Sequence, residues 1–158
     1  MERKLDRDKM KKQQIKLRVV SRIEGNDDFA EEEVESAFTD ITTTAELITS
    51  DDKVSVEYDE ALSSGDASIT HTAISFDRKN PDTVFLTRSG DVHMTCVIEE
   101  RMRYRFNYDV GFAAFELIAA GKKVNNSLLD TSRTLKMSYD LEMHGMMIRK
   151  CEMKVTIL

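Results

Sequence analysis

The chain is poor in the residues that break or cross-link a fold. Proline occurs once and glycine six times in 158 residues, too few for a flexible linker or a low-complexity tract. Tryptophan is absent, and two cysteines, Cys96 and Cys151, cannot build the disulfide framework of a small secreted domain. Both fall on the apolar parity of their segments, which reads as a pair of reduced core thiols. Long apolar runs are missing too. The opening MERKLDRDKMKKQQ has no hydrophobic centre of the kind a secretory signal needs. No later stretch is apolar for long enough to span a bilayer. The expectation is a cytosolic protein with no membrane partner.

Signature chemistry is equally sparse. His71, His93 and His144 are scattered, and no two have ligand spacing on one strand, so no metal is expected. No serine sits in a strained elbow, and no nucleophile is paired with an oriented base. Gly90 and Gly111 form no phosphate-cradling pattern. The expectation is a protein that is not an enzyme and needs no cofactor. A net charge of -6 argues against nucleic acid as a partner. Oligomeric state is not readable.

What is present is alternation. Hydrophobic residues make up 41% and charged residues 33% of the chain, a balance that supports one domain with a real core. Residues 1–13 read as a charged tail and residues 14–158 as the folded domain. Side chains two apart on a strand share a face. Ile15, Leu17, Val19 and Ile23 alternate with Lys16, Arg18 and Arg22. After the acidic run Glu31-Glu32-Glu33, the apolar parity changes from Val34 and Phe38 to Ile41, Ala45 and Leu47, which predicts a bulge near Thr39-Asp40. Val54, Val56 and Tyr58 follow, then a loop around Gly65, then Ile74 and Phe76. Met102, Tyr104, Phe106 and Tyr108 share a face. Leu135, Met137, Tyr139, Leu141 and Met143 form the cleanest alternating run, and Cys151, Met153, Val155 and Ile157 close the chain. No segment shows a 3.6-residue apolar period. The prediction is an all-β fold: a single closed antiparallel up-and-down barrel of roughly 8–10 strands, because closure removes exposed edges.

The segment TVFLTRSGDVHMTC anchors that prediction. It reads as a hairpin over Ser89-Gly90-Asp91. A three-residue loop, pairing Arg88 with Val92 and Leu86 with Met94, gathers the apolar side chains on one face. Arg88 then lies on the inward face near the barrel mouth. By the same parity Glu60 ends its strand facing in. Whether the two lie at the same end is not readable from sequence; if they do, they are either an ion pair that plugs the barrel or an anchor for a ligand's carboxylate or phosphate. Tyr58, Tyr104, Tyr108 and Tyr139 also fall on inward parity, as core aromatics or as ligand contacts. Methionines at 94, 102, 137, 143, 147 and 153 suit irregular core space or an adaptable apolar cavity. Arg101, Arg103 and Arg105 point outward as a solvated face.

Four stretches, VSVEYDE, VFLTRSGDV, FNYDVGFAAFEL and LKMSYDLEMHG, stand in an order that resembles the YwiB-like bacterial family of unknown function. The resemblance spans about residues 15–157. After the tyrosine matched by Tyr108 the family tends to carry a threonine-proline-aromatic-glycine run. Here Val110-Gly111-Phe112-Ala113 stands instead. The resemblance implies a calycin-like (lipocalin-like) barrel and no activity. By analogy with other calycins it implies a small apolar or amphipathic acid held in or at the mouth. Its ligand-binding residues would be Arg88, Glu60, Tyr58, Tyr108 and Tyr104. The alternative is a plugged barrel that meets a protein partner and holds no small ligand.

Overall fold

The computed structural model describes residues 10–25, 37–60 and 69–158. Residues 1–9 of the charged tail, the acidic run 31–33 with Val34 and Ser36, and the loop at 62–68 lie outside the described residues. Ten strands follow in order: β1 (Lys11–Gly25), β2 (Ala37–Thr49), β3 (Lys53–Glu60), β4 (Thr70–Asp77) and β5 (Asn80–Ser89). The second half holds β6 (Met94–Ile98), β7 (Arg103–Asp109), β8 (Ala114–Ser127), β9 (Thr134–Met143) and β10 (Met146–Ile157). They form one antiparallel sheet in the order β6-β5-β4-β3-β2-β1-β10-β9-β8-β7, rolled into a nearly closed barrel. This is an up-and-down meander in which the first and last strands are neighbours. Lys11, Lys12 and Gln13 are paired within β1, opposite Thr49, Ile48 and Leu47.

Alternation builds the core. The inward residues of β3, β4, β5 and β6 fall into register, with Val56, Ile74, Leu86 and Cys96 as one cross-strand row. Leu17, Val54, Ile74, Leu86, Ile98, Leu135 and Val155 are all fully buried. Leu128, from the β8–β9 connection, is buried in the same core. Each such side chain contributes about 1.5–3 kcal/mol by leaving water. Met102, by contrast, is exposed at the β6–β7 reversal and not part of the core.

The anchor hairpin keeps its predicted faces but not its predicted register. Arg88 pairs with Met94 and Leu86 with Cys96, so five residues, 89–93, form the loop. A shift by two residues preserves every facing. Its cause is a competing partner: His93 leaves β5 and exchanges two backbone hydrogen bonds, of 2.8 and 3.0 Å, with Asp109 at the end of β7. Gly90, at φ 133°, lets the loop pass close to the backbone of Ile69 and Thr70.

The bulge predicted near Thr39-Asp40 is absent. β2 pairs with β1 without interruption from Ala37 to Thr49. Phe38 therefore lies on the solvent face, where the Arg22 guanidinium stacks over its ring at 5.8 Å. Register shifts occur elsewhere, between Ser75 and Asp77, Gly121 and Lys123, and Met147 and Arg149.

The sheet's two end strands, β6 and β7, meet without a full ladder. At one end the His93–Asp109 pair joins them. At the other the Glu99–Met102 reversal is pressed onto β8. Arg101 N donates to Gly121 O and Gly121 N to Met102 O, both at 3.0 Å. A methyl group added at Gly121 would fall onto the Glu99 carbonyl, far inside contact distance. Glu99 accepts from Thr83 Oγ1 at 2.9 Å and from Tyr104 Oη at 3.2 Å. Glu100 accepts from the Val124 amide at 2.9 Å. Asn126 ties the start of β5 to β8 by donating to Pro81 O at 2.7 Å.

Two glycine substitutions separate this close approach from backbone conformation. Gly121→Ala forces backbone apart and is expected to cost about 3 kcal/mol. Gly111→Ala meets open space but sits at φ 94°, and should cost about 1 kcal/mol. Urea midpoints of the two variants measure the difference, and equal losses would contradict the seam contact.

Candidate functional site

The barrel is filled at one end and open at the other. The open end holds a cavity of about 380 Å³. One wall is Arg88 on β5 with Met94 and Cys96 on β6. A second is aromatic and aliphatic: Phe106 and Tyr108 on β7, Phe115 and Leu117 on β8. The third comes from β9 and β10, with Tyr139, Leu141 and Met143 facing Ile148, Arg149 and Cys151, and Ile23 of β1 stands beside it. This combination of apolar lining and few polar groups suits a small guest. The rim is apolar as well. Ile23, Ile69, Phe112, Phe115 and Met146 are all exposed at this end, Phe112 to 92%.

Along the axis the inward face changes character. The row Tyr58, Thr72, Arg88 and Met94 follows the apolar row, and Glu60 with Thr70 comes last. Arg88 Nε stands 3.7 Å from Glu60 Oε1, with both side chains largely buried. Thr72 Oγ1 donates to the same carboxylate oxygen at 3.0 Å. So the structure brings Arg88 and Glu60 together. Tyr58 is buried directly beside them, and Tyr108 lines the cavity with Arg88. Tyr104 lies elsewhere. Its hydroxyl donates to Glu99 at the closing seam, outside the cavity wall.

Three buried polar atoms in this neighbourhood have no hydrogen-bond partner: Tyr58 Oη, Thr70 Oγ1 and Arg88 Nε. All belong to β3, β4 and β5, and of the three residues only Arg88 lines the cavity; Tyr58 and Glu60 lie outside its wall. Such orphans are rare in folded proteins and mark places where water or a ligand oxygen completes the set. Burial pushes the Tyr58 phenol well up, aided by the Glu60 charge and opposed by Arg88, so it stays a neutral donor. Burial also raises the Cys96 thiol to about 12 and the Cys151 thiol to about 11. Both cysteines are free and buried, and as protonated thiols they act as apolar lining rather than nucleophiles. Tyr139 is buried, and desolvation, with the neighbouring Cys151 and Cys96 adding to it, raises its phenol.

Arg149 was not singled out from sequence. The signal existed: Cys151, Met153, Val155 and Ile157 set odd parity for β10, and two residues back that parity falls on Arg149. A β-bulge between Met147 and Arg149 lies at this point, the kind of irregularity that re-aims side chains at barrel rims.

Of the further depressions, two lie on the outer face away from this cavity. One, of about 760 Å³, crosses β1, β10, β9 and β8 among Arg22, Lys123, Lys136 and Lys154 with Glu100 and Glu152. Val20, Phe38, Val124, Met137 and Met153 also line it, but four basic and two acidic side chains stand among them, a more highly charged setting than the smaller cavity. The other adjoins His71, whose Nδ1 meets Asp59 at 2.8 Å and whose Nε2 meets Glu57 at 2.9 Å. Among the described residues no three histidine, cysteine, aspartate or glutamate side chains are grouped to hold a metal ion. No helix of the described residues is long and apolar enough to cross a membrane.

Hydrogen bonding to Glu57, then to Asp59, raises the His71 pKa, against an opposing desolvation. A raised folded value means that protonated His71 stabilises the fold. That contribution is complete below the ordinary histidine value near 6.5 and is lost as pH rises through the raised one. The urea midpoint is expected to fall across this window in the native protein and to fall less in His71→Gln. An NMR titration of the His71 ring with a midpoint at or below the ordinary value would contradict this.

The family described as "Domain of unknown function (DUF1934)" matches residues 22–155. No curated protein matches the chain. Among solved structures, the chain is similar to the crystal structure of ywiB protein from Bacillus subtilis at 20% identity and a TM-score of 0.66. The similarity covers 96% of this chain and 97% of that one. At that identity the likeness shows the fold.

Proposed function

The chain belongs to the DUF1934 family, and from that premise we propose a non-catalytic cytosolic binding protein that holds a small amphipathic acid in the open half of its barrel. One observation carries this reading: an apolar cavity of about 380 Å³ whose charged lining residues are two arginines, Arg88 and Arg149. The tail of the guest lies inward against Phe106, Leu117, Cys96 and Cys151. Its oxygen-bearing end faces Arg88, whose Nε is an unmet donor on the cavity wall. Releasing ordered water from such walls favours an apolar tail, and the donor favours an oxygen acceptor. Phe112, Met146 and Ile69 on the rim give the tail an apolar surface to cross on entry.

The same exposed rim favours a second reading, in which it is the contact surface for a protein partner and the cavity takes no guest. The two separate in one experiment. Under the first reading anilinonaphthalene sulfonate brightens on binding the purified protein, decanoic acid displaces it, and Leu117→Trp, which fills the cavity, abolishes both effects. Native mass spectrometry of the same protein is expected to show an adduct of a small acid. Absence of displacement, together with a mass equal to that of the bare chain, would leave the partner reading.

A further inference from the structure

If the cavity holds an acid, as proposed above, its two arginines are not equivalent. Arg88 already faces a carboxylate, Glu60 at 3.7 Å, which Thr72 holds in place. Its charge is largely opposed, while its Nε has no hydrogen-bond partner. Arg149 is provided for differently. It pairs across the ladder with Leu141, an apolar residue, and sits beside the bulge that brings Ile148 to the cavity with it. Among the described residues, its guanidinium makes one hydrogen bond, from Nη1 to the Ile148 carbonyl at 2.9 Å. Among the described residues no carboxylate lies within ion-pair distance of it, whereas Arg88, the other arginine of the cavity, has one.

We propose that Arg149 receives the guest's negative charge, that the guest is a monoanionic carboxylic acid, and that Arg88 supplies a hydrogen bond to it without setting its charge. Among the described residues at the cavity, two arginines and one glutamate leave one positive charge. A carboxylate neutralises it. A phosphate monoester would bring a second negative charge toward Glu60. The five-strand separation of β5 and β10 in a ten-stranded sheet places the two guanidiniums on facing walls, so the guest's head sits between them. A partly desolvated cation without a counter-ion is costly, and the bulge at Arg149 holds it at the cavity, away from open solvent.

Calorimetric titration with decanoic acid, decanol and decyl phosphate tests this. The native protein is expected to favour the acid over the alcohol by about tenfold or more, the range of one charge-assisted hydrogen bond, and over the phosphate. Arg149→Met should level acid and alcohol, and Arg149→Lys should recover most of the preference. Because removing Arg88 strands Glu60, its arm is the double variant Arg88→Met/Glu60→Gln, which should weaken acid and alcohol alike and keep their ratio. An acid preference that survives Arg149→Met, or vanishes in the double variant, overturns the assignment while leaving the binding function intact. A native protein that takes up none of the three overturns both.

Discussion

Everything at the open end depends on how the sheet closes at the other. A ten-stranded meander must bring its two outermost strands together, and here β6 has only five residues to offer. A full ladder is replaced by one close backbone approach, the Glu99 carbonyl lying where a side chain at Gly121 would be. Glu99, Glu100 and Asn126 fasten the surroundings with four hydrogen bonds from or to backbone and hydroxyl groups. That concentrates closure at one end. At the opposite end the His93–Asp109 pair alone bridges the strands, and the walls stand apart enough for a cavity.

The barrel axis is consequently a polarity gradient. Val54, Val84, Leu135 and Val155 fill the closed end. Aromatic and sulfur-bearing side chains occupy the middle, and Arg88, Glu60, Thr70 and Arg149 lie toward the lip. Water is excluded most where no polar group remains and least where guanidiniums can use it. A guest that is greasy at one end and acidic at the other matches that order without rearrangement of the core.

Much of this was legible in the sequence, because period-two alternation is a strong signal wherever one face is buried. It gave the all-β class, the meander and the inward facing of Leu86, Met94, Tyr139, Arg88 and Glu60, but not that Arg88 and Glu60 lie at the same end, which only the register of β3, β4 and β5 decides. What it missed has local causes. The hairpin register shifted because His93 found a partner sixteen positions along the chain, which no pairing rule within the hairpin contains. Phe38 looked like a core residue that demanded a bulge, when an arginine on the neighbouring strand covers it in solvent. Tyr104 shares parity with Tyr108, yet Glu99 holds its hydroxyl at the closed end, so parity located the face and not the height along the axis. Arg149 was visible by parity but passed over, since a basic residue near a turn normally belongs to the surface.

The neighbouring of β1 and β10 sets a condition on how the chain assembles. Leu17 must find Ile157, almost the full length of the polypeptide away, whereas all the other pairings join consecutive strands. Two wings, β1 to β6 and β7 to β10, can each grow by adding hairpins next to one another. Docking them requires the remote pair and the local reversal at Glu99–Met102 to form together, and the entropy of that closure rises only slowly with length. Such topology places the kinetic barrier at the joining of the wings. It also means that a chain nicked at the β6–β7 reversal, with its old ends linked, would keep every ladder.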